Sequence, residues 1–494
     1  MKRQINQIYL ILSGVFFTMV FSACDKKLDD LTPHNVNFEG QQFATKGGYL
    51  KATVGNYAGF TALAAGLDFS KTQDLLWLNI SEFRGNNVTF IDAMPDRDRD
   101  AFDFDNSSLK DLGYSHYYWV AAHKTLLGIN MVLKNIRDNE TDVDILNAKG
   151  ENLFMRAVLF FDMVRIYGRP YYQSPESNLG IPLITRVIED IDDKPARATV
   201  KENYDQIIKD LTEAVPLLVK RPVNSFANKY AAFALLSRVY LYMGGTFPAP
   251  SPEWNNKAKQ YADSVILNGG YTLLQGTAYT TYYQNDNQNN PETIWAINHT
   301  ASTQHGIAMY FQISVSGGTS GGQIRPSRNF LNLLSAGDLR WNFYKKRVYG
   351  VNTTDTMECV KYAINYTTIY SRSPIHYLRL AEIILNRAEA RVKTGDNAGA
   401  LIDVNTIRTR AGLTTLTNLT GQALFDEILK QRRIELAFEG HNSYDYFRNG
   451  LPVIRDYPSY DASPLTINAT DPKVVLRIPQ DEITFNSRLK QNDQ

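Results

Sequence analysis

The sequence predicts a mostly α protein: an irregular, tetratricopeptide-like helical-repeat scaffold (an α-solenoid) with long loops and a few short strands. Three observations carry this expectation. Long segments place apolar residues at helical period and stop at glycine. Further helical patterns follow them after short turns, as in a stack of helix pairs. The stretches between are rich in turn formers and have no steady period.

The first segment in chain order is not part of that scaffold. Residues 1 to 7 carry Lys2 and Arg3 and no acid, and residues 8 to 23 are almost wholly apolar. This run is short for a bilayer span, which takes about 20 residues. It suits a secretory signal ending in the small pair Ser22-Ala23. Phe21-Ser22-Ala23-Cys24 resembles a bacterial lipobox with Phe where Leu is usual. On that reading residues 1–23 are removed, Cys24 is acylated, and residues 24–40 form a lipidated tether. An uncleaved anchor is the competing reading. Two acyl chains suffice for stable anchoring, at about 0.8 kcal/mol per buried methylene.

The remaining span, 41–494, reads as a single domain. In ENLFMRAVLFFDMVRIYG, residues Leu153, Ala157, Phe160, Phe161 and Val164 form one stripe, and Gly168 and Pro170 end the helix. Residues 228–245 repeat the plan and close on Gly244-Gly245; residues 254–271 add a second helix. Residues 378–396 and 398–413 form another pair across Gly395-Asp396. Ala388 and Ala400 fall at the spacing that lets two antiparallel helices approach closely. Arg387 and Arg391 stand where larger apolar side chains are commoner in such repeats. Residues 83–108, 275–292 and 316–330 read as loops, and residues 293–299 and 474–479 as short strands.

Composition excludes some functions. There are 52 basic and 51 acidic residues, and loss of Lys2 and Arg3 would leave about −1, with no basic face for a nucleic acid. The only cysteine besides Cys24 is Cys359, so disulfides do not hold this fold. Gly318-Thr319-Ser320-Gly321-Gly322 is a formal G-x-S-x-G. It lacks the helix a nucleophile elbow needs, because Gln323 to Pro326 start one poorly, and it reads as a flexible loop. Asp96, Asp98 and Asp100 have calcium-loop spacing. Ala101 and Ser107 replace the required Gly and Glu, and Arg97 and Arg99 would repel a cation, so this segment reads as a solvated loop. No cofactor or metal is expected, although a structural calcium stays open.

Six segments in order resemble one family: Cys24 with its lipobox, RAVLFFDMVRIYGRP, ALLSRVYLYMGG, YLRLAEIILNRAEARVKTGD with VNTIRTRAGL, ILKQRRIELAFEGHNSYDYFRNG and RIPQDEITFN. The chain resembles the SusD/RagB family from Cys24 almost to its end. The resemblance implies a SusD-like domain, with 41–270 as its N-terminal region and 271–494 as its C-terminal region. It implies a non-catalytic outer-membrane lipoprotein, exposed at the cell surface. Such a protein binds a nutrient, most often an oligosaccharide, over a SusC-type TonB-dependent transporter. Peptide or other non-glycan nutrients are the alternative ligand; a protein–protein adaptor or a hydrolase is less expected. In RRIELAFEG, Arg433, Glu435 and Glu439 read as buried or half-buried ion partners, and Asp445 with Arg448 as a helix-surface pair.

A sugar site needs flat apolar faces and planar polar groups. Loop aromatics beside Asn, Asp or Arg are therefore the candidates. The ligand-binding set is Trp77, Phe83, Arg84 and Asn87 in the N-terminal region, Tyr279 and Tyr283, and Trp341 beside Arg340. Trp295 reads as core.

Overall fold

The computed structural model describes residues 39–62, 72–90, 96–105, 113–219, 223–284, 289–300, 303, 307–312, 324–346, 357–362, 372–457 and 464–493. Cys24, Ser320 and the GGTSGG segment lie outside them. The described residues divide into two units, 39–49 and Leu50–Gln494. Residues 39–49 hold the short helix Glu39–Gln42 and the start of α1 (Lys46–Gly59).

The larger unit is mostly helical. Its principal helices are α2 (Gln73–Phe83), α3 (Asp96–Asp103), α4 (Tyr114–Asn135), α5 (Val143–Tyr167), α6 (Val200–Ala214), α7 (Lys229–Met243), α8 (Pro252–Asn268), α9 (Leu380–Lys393), α10 (Asn397–Arg410), α11 (Gly421–Glu435) and α12 (Asn442–Arg448). Helices α4 to α11 form a run in which each packs on the next, α8 passing directly to α9 although more than a hundred residues separate them. Among the described residues no helix is long and apolar enough to cross a membrane.

Local chemistry starts these helices where the sequence suggests. Asp142 accepts the main-chain N–H groups of Asp144 and Ile145 at the start of α5. Thr199 and Glu202 make a reciprocal capping box on α6. Between α9 and α10, Gly395 adopts φ +86°, the left-handed turn that other residues resist. Ala388 and Ala400 are fully buried there and pack with Val392, Val404 and Phe425.

Two features exceed the predicted stripe pattern. Helix α5 is buried on every face from Gly150 to Tyr167, so it forms the centre of the scaffold and not one of its sides. Its charges are paired inside: Arg156 holds Asp210 of α6 at 2.7 and 2.8 Å. Arg387 and Arg391, the departures from the repeat pattern, both grip Asp403 of α10, and Arg387 also reaches Asp263 of α8 at 2.8 Å. Ion pairs replace aromatic packing at that helix junction.

Among the described residues the strands form four antiparallel pairs: β1 (Val88–Phe90) with β3 (Ile324–Pro326), β2 (Thr293–Ile297) with β6 (Ile375–Arg379), β4 (Tyr344–Lys346) with β5 (Met357–Cys359), and β7 (Val453–Arg455) with β8 (Leu465–Ile467). The expected strand at 293–299 is β2, and Trp295 is core at 1 % exposure. The expected strand at 474–479 is not one. Leu476 gives its N–H to Ile166 O at the end of α5 and Ile478 gives its N–H to Gln491 Oε1, so these donors bond to a helix end and a side chain and not to a neighbouring strand. The segment read as a solvated Asp/Arg loop is α3. Asp98, in its first turn, is fully buried and accepts the Tyr114 hydroxyl.

Several buried cations fasten distant segments by their main-chain oxygens. Arg84 donates to Val474 O at 3.0 Å and to Lys473 O. Arg455 donates to Gly85 O, Phe83 O and Phe102 O. Arg197 reaches Gly180 O, Leu179 O, Tyr167 O and Lys490 O. Burial pushes the guanidinium of each down to about 10.

Candidate functional site

Helices α11 and α12 and the turn after α2 enclose a cavity of about 260 Å³. Its apolar lining is Leu333, Leu429, Leu436, Leu451 and Tyr446; its polar lining includes Asn87, Lys430, Arg432, Arg433, His441 and Asn442. Spacing on α11 creates this wall. Leu429, Arg432, Arg433 and Leu436 recur at i, i+3, i+4 and i+7 and so share one helix face.

Arg433 organises the mouth. Its Nε donates to Asn87 Oδ1 at 2.8 Å, and Nη2 to Asn86 O and Asn329 Oδ1, each at 3.0 Å. Nη1 donates to the Tyr446 hydroxyl at 3.2 Å. The Asn86 main chain is fixed from both sides: its N–H donates to Asn442 Oδ1 at 2.8 Å, and Ser327 Oγ donates to its carbonyl. Deeper in, Arg432 Nε donates to Asp445 Oδ2 at 2.7 Å and Nη1 to Asn386 Oδ1 at 2.6 Å. Arg432 Nη2, Asn87 Nδ2 and Asn442 Nδ2 are buried without a hydrogen-bond partner among the described residues. Buried N–H groups left this way are costly, which marks the wall as a place to look for a ligand. Burial, with Arg238 and Arg432 nearby, holds the His441 imidazole well below its ordinary value, so the ring is neutral.

Of the candidates taken from sequence, Asn87 lines this cavity. Arg84, three residues earlier, is turned away toward Val474. The other aromatics are not on loops offering a face to solvent. Trp77 and Phe83 belong to α2, where every residue is buried. Trp77 packs on Tyr377 with ring centroids 4.9 Å apart, and Phe83 meets Phe90, Tyr114 and Tyr310 edge-on. Tyr279 and Tyr283 give their hydroxyls to Glu435 and Glu439, and Arg410 lies 3.8 Å over the Tyr279 ring. With no free ring face, these four cannot stack a sugar in this conformation. Trp341 is half-buried and spends its indole N–H on Ser335 O at 3.1 Å.

The two tyrosines instead close a buried ion network. Arg379 holds Glu439, Glu435 and Glu292 at 2.7, 2.7 and 3.0 Å; Arg410, Arg340 and Lys361 complete it with Asp338. Burial opposes ionisation of Glu439, but Arg379 and Lys361 hold its carboxyl below the usual range. Glu435 and Glu439 are thus the buried ion partners expected. Arg433 is not, since its acceptors are uncharged. Asp445 and Arg448 do pair, at 2.9 Å, but in the interior: Arg448 also grips Glu389 with both ends of its fork. Among the described residues no group of three or more His, Cys, Asp or Glu side chains could hold a metal.

Two family models match the chain: one described as starch-binding, associating with the outer membrane, over residues 82–241, and one for the SusD family over residues 277–494. The chain belongs to the SusD/RagB family. A SusD-like protein of Bacteroides ovatus is 27% identical over 364 residues, an alignment covering 64% of this chain and 61% of that protein. A SusD-like protein of Formosa agariphila is 26% identical over 448 residues, covering 78% of this chain and 81% of the relative. Among solved structures, a SusD superfamily protein of Bacteroides thetaiotaomicron VPI-5482 superposes with a TM-score of 0.79 at 27% identity, covering 91% of this chain and all of that one. The SusD helical scaffold is therefore shared over nearly the whole chain. The wall residues other than Asn87 carry no loop-aromatic signature, and Arg433 in RRIELAFEG reads as an ion partner, so composition does not single them out. The apolar-polar alternation of Leu429, Arg433 and Leu436 along one helix face was the available signal.

Proposed function

We propose that this SusD-family protein is a non-catalytic, lipid-anchored nutrient receptor. It takes an oligosaccharide at the cavity formed by α11, α12 and the turn at Asn87, and delivers it to a SusC-type TonB-dependent transporter. The observation that carries this is the cavity's lining. A leucine floor suits the C–H face of a sugar ring, and fixed planar donors on Arg432, Asn87 and Asn442 suit its oxygens. Acylation at Cys24 holds the chain at the outer membrane, facing out of the cell. Tethering raises the ligand's effective concentration at the transporter mouth without requiring high affinity.

The test is an array of oligosaccharides and peptides probed with the full-length chain in detergent, alongside a Leu429→Trp variant that fills the cavity. Oligosaccharide binding by the unaltered chain, lost in Leu429→Trp with an unchanged circular dichroism spectrum, is the expected result. Binding confined to peptides, or glycan binding indifferent to Leu429→Trp, would overturn it. Metabolic labelling with palmitate, and co-purification of a TonB-dependent transporter, check the anchor and the partner.

A further inference from the structure

Resting on that glycan-binding reading, we infer that the oligosaccharide is acidic: it presents a sugar oxyanion, a uronate carboxylate or a sulfate ester, to Arg433 and Lys430.

The inference comes from which charges on the wall are already neutralised. Arg432 is met by Asp445, and Asp445 is shared with Arg448. Among the described residues Arg433 has four hydrogen-bond acceptors and none is a carboxylate: two side-chain amide oxygens, one main-chain oxygen and one phenol. Lys430, on the turn of α11 before Arg433, lines the same cavity and has no ion pair among the described residues. The remaining acid of the lining is Asp426, an exposed residue that accepts from Gln422 Nε2 at 2.7 Å. The wall therefore carries surplus positive charge beside a half-buried guanidinium.

The buried atoms without partners point the same way. Among the described residues, the buried unpartnered atoms of the lining are Arg432 Nη2, Asn87 Nδ2 and Asn442 Nδ2, all N–H groups, and one ring nitrogen of His441. A neutral sugar hydroxyl donates as well as accepts, and would need free acceptors that this wall barely supplies. A carboxylate or sulfate only accepts, and a guanidinium meets it through charge-assisted bonds stronger than neutral ones. The arginines of the ion network already have carboxylates, and Arg84, Arg197 and Arg455 are sealed in the interior on main-chain oxygens. Arg433 combines an unneutralised charge with a cavity.

Titration calorimetry of the full-length chain in detergent tests this, with oligogalacturonate and a sulfated galactan oligosaccharide against uncharged counterparts of equal length. An acidic ligand should bind about tenfold or more tightly than its neutral counterpart, and its advantage should shrink as salt rises. Arg433→Gln should collapse the acidic-to-neutral preference by about tenfold or more, and Arg433→Lys should restore part of it. Lys430→Gln, at a less enclosed position, should reduce the preference by a smaller factor and carries the test if Arg433→Gln misfolds. Neutral ligands binding as tightly as acidic ones, or a preference untouched by both variants, would overturn the inference while leaving glycan binding intact. Failure of every oligosaccharide to bind would remove both readings together. Preference for the uronate or for the sulfate identifies which oxyanion the site takes.

Discussion

Tyr283 donates its hydroxyl to Glu439 Oε1 at 2.8 Å, while Lys361 stands 4.4 Å over the same ring. The tyrosine is a structural member of the ion network. Removing only the hydroxyl, in Tyr283→Phe, should destabilise the fold by about 1–2 kcal/mol, the cost of one buried charge-assisted hydrogen bond, and leave ligand affinity unchanged. Urea unfolding and calorimetry on the same sample check both halves.

The network itself should be much less tolerant. Arg379→Met leaves Glu439 and Glu435 facing each other with less counter-charge in a buried site. A loss of about 3–5 kcal/mol is expected from stranding buried carboxylates in this way. Equilibrium unfolding should also show part of that loss recovered in an Arg379→Met, Glu439→Gln double variant.

Glu82 should make stability fall as pH rises. Burial lifts its carboxyl from 4.5 to about 7, although the N–H groups of Gly440 and His441 partly offset this. Between those values the unfolded chain has lost the proton that the folded protein still binds, so unfolding is progressively favoured up to about 7 and then levels off. The span corresponds to a contribution on the order of 3 kcal/mol. Glu82→Gln should abolish this slope. Denaturation midpoints on either side of the window decide it; equal slopes for both proteins would refute it.

Cys359 should resist thiol reagents until the protein opens. It is free, fully buried on β5, and burial pushes its thiol up to about 12. The reactive thiolate is scarce and enclosed in the native state. Alkylation followed by mass spectrometry should find it unmodified in buffer and modified in denaturant.

Gly440→Ala should be strongly destabilising. Its φ is +80°, and a Cβ there would stand 2.9 Å from Cη2 of Trp77. Backbone strain and a clash with a packed indole together should cost more than about 2 kcal/mol, read from the thermal midpoint.

The scaffold was legible because helical period and terminal glycines act locally. The α9–α10 pair could be read from Ala388, Gly395 and Ala400 without any distant residue. Misreadings arose where a distant partner decides the outcome. Leu476 reads as strand but bonds to the end of a helix, and the α3 acids read as solvated although Tyr114 caps Asp98 inside. Trp77 and Phe83 show the same limit at the site, whereas Trp295 was legible as core. The two α2 aromatics prove to be core. Asn87 reached the cavity because its turn is clamped by Arg433 and by Asn442, hundreds of residues later in the chain.

The arginines that clasp peptide carbonyls have an evolutionary consequence. Every residue type carries the same carbonyl, so Arg84, Arg197 and Arg455 are indifferent to which side chains occupy the segments they pin. Side chains in the segments around Lys473 and Lys490 can change without removing these bonds. A chassis bolted in this manner can exchange its ligand-facing residues freely, and one fold can serve many different diets.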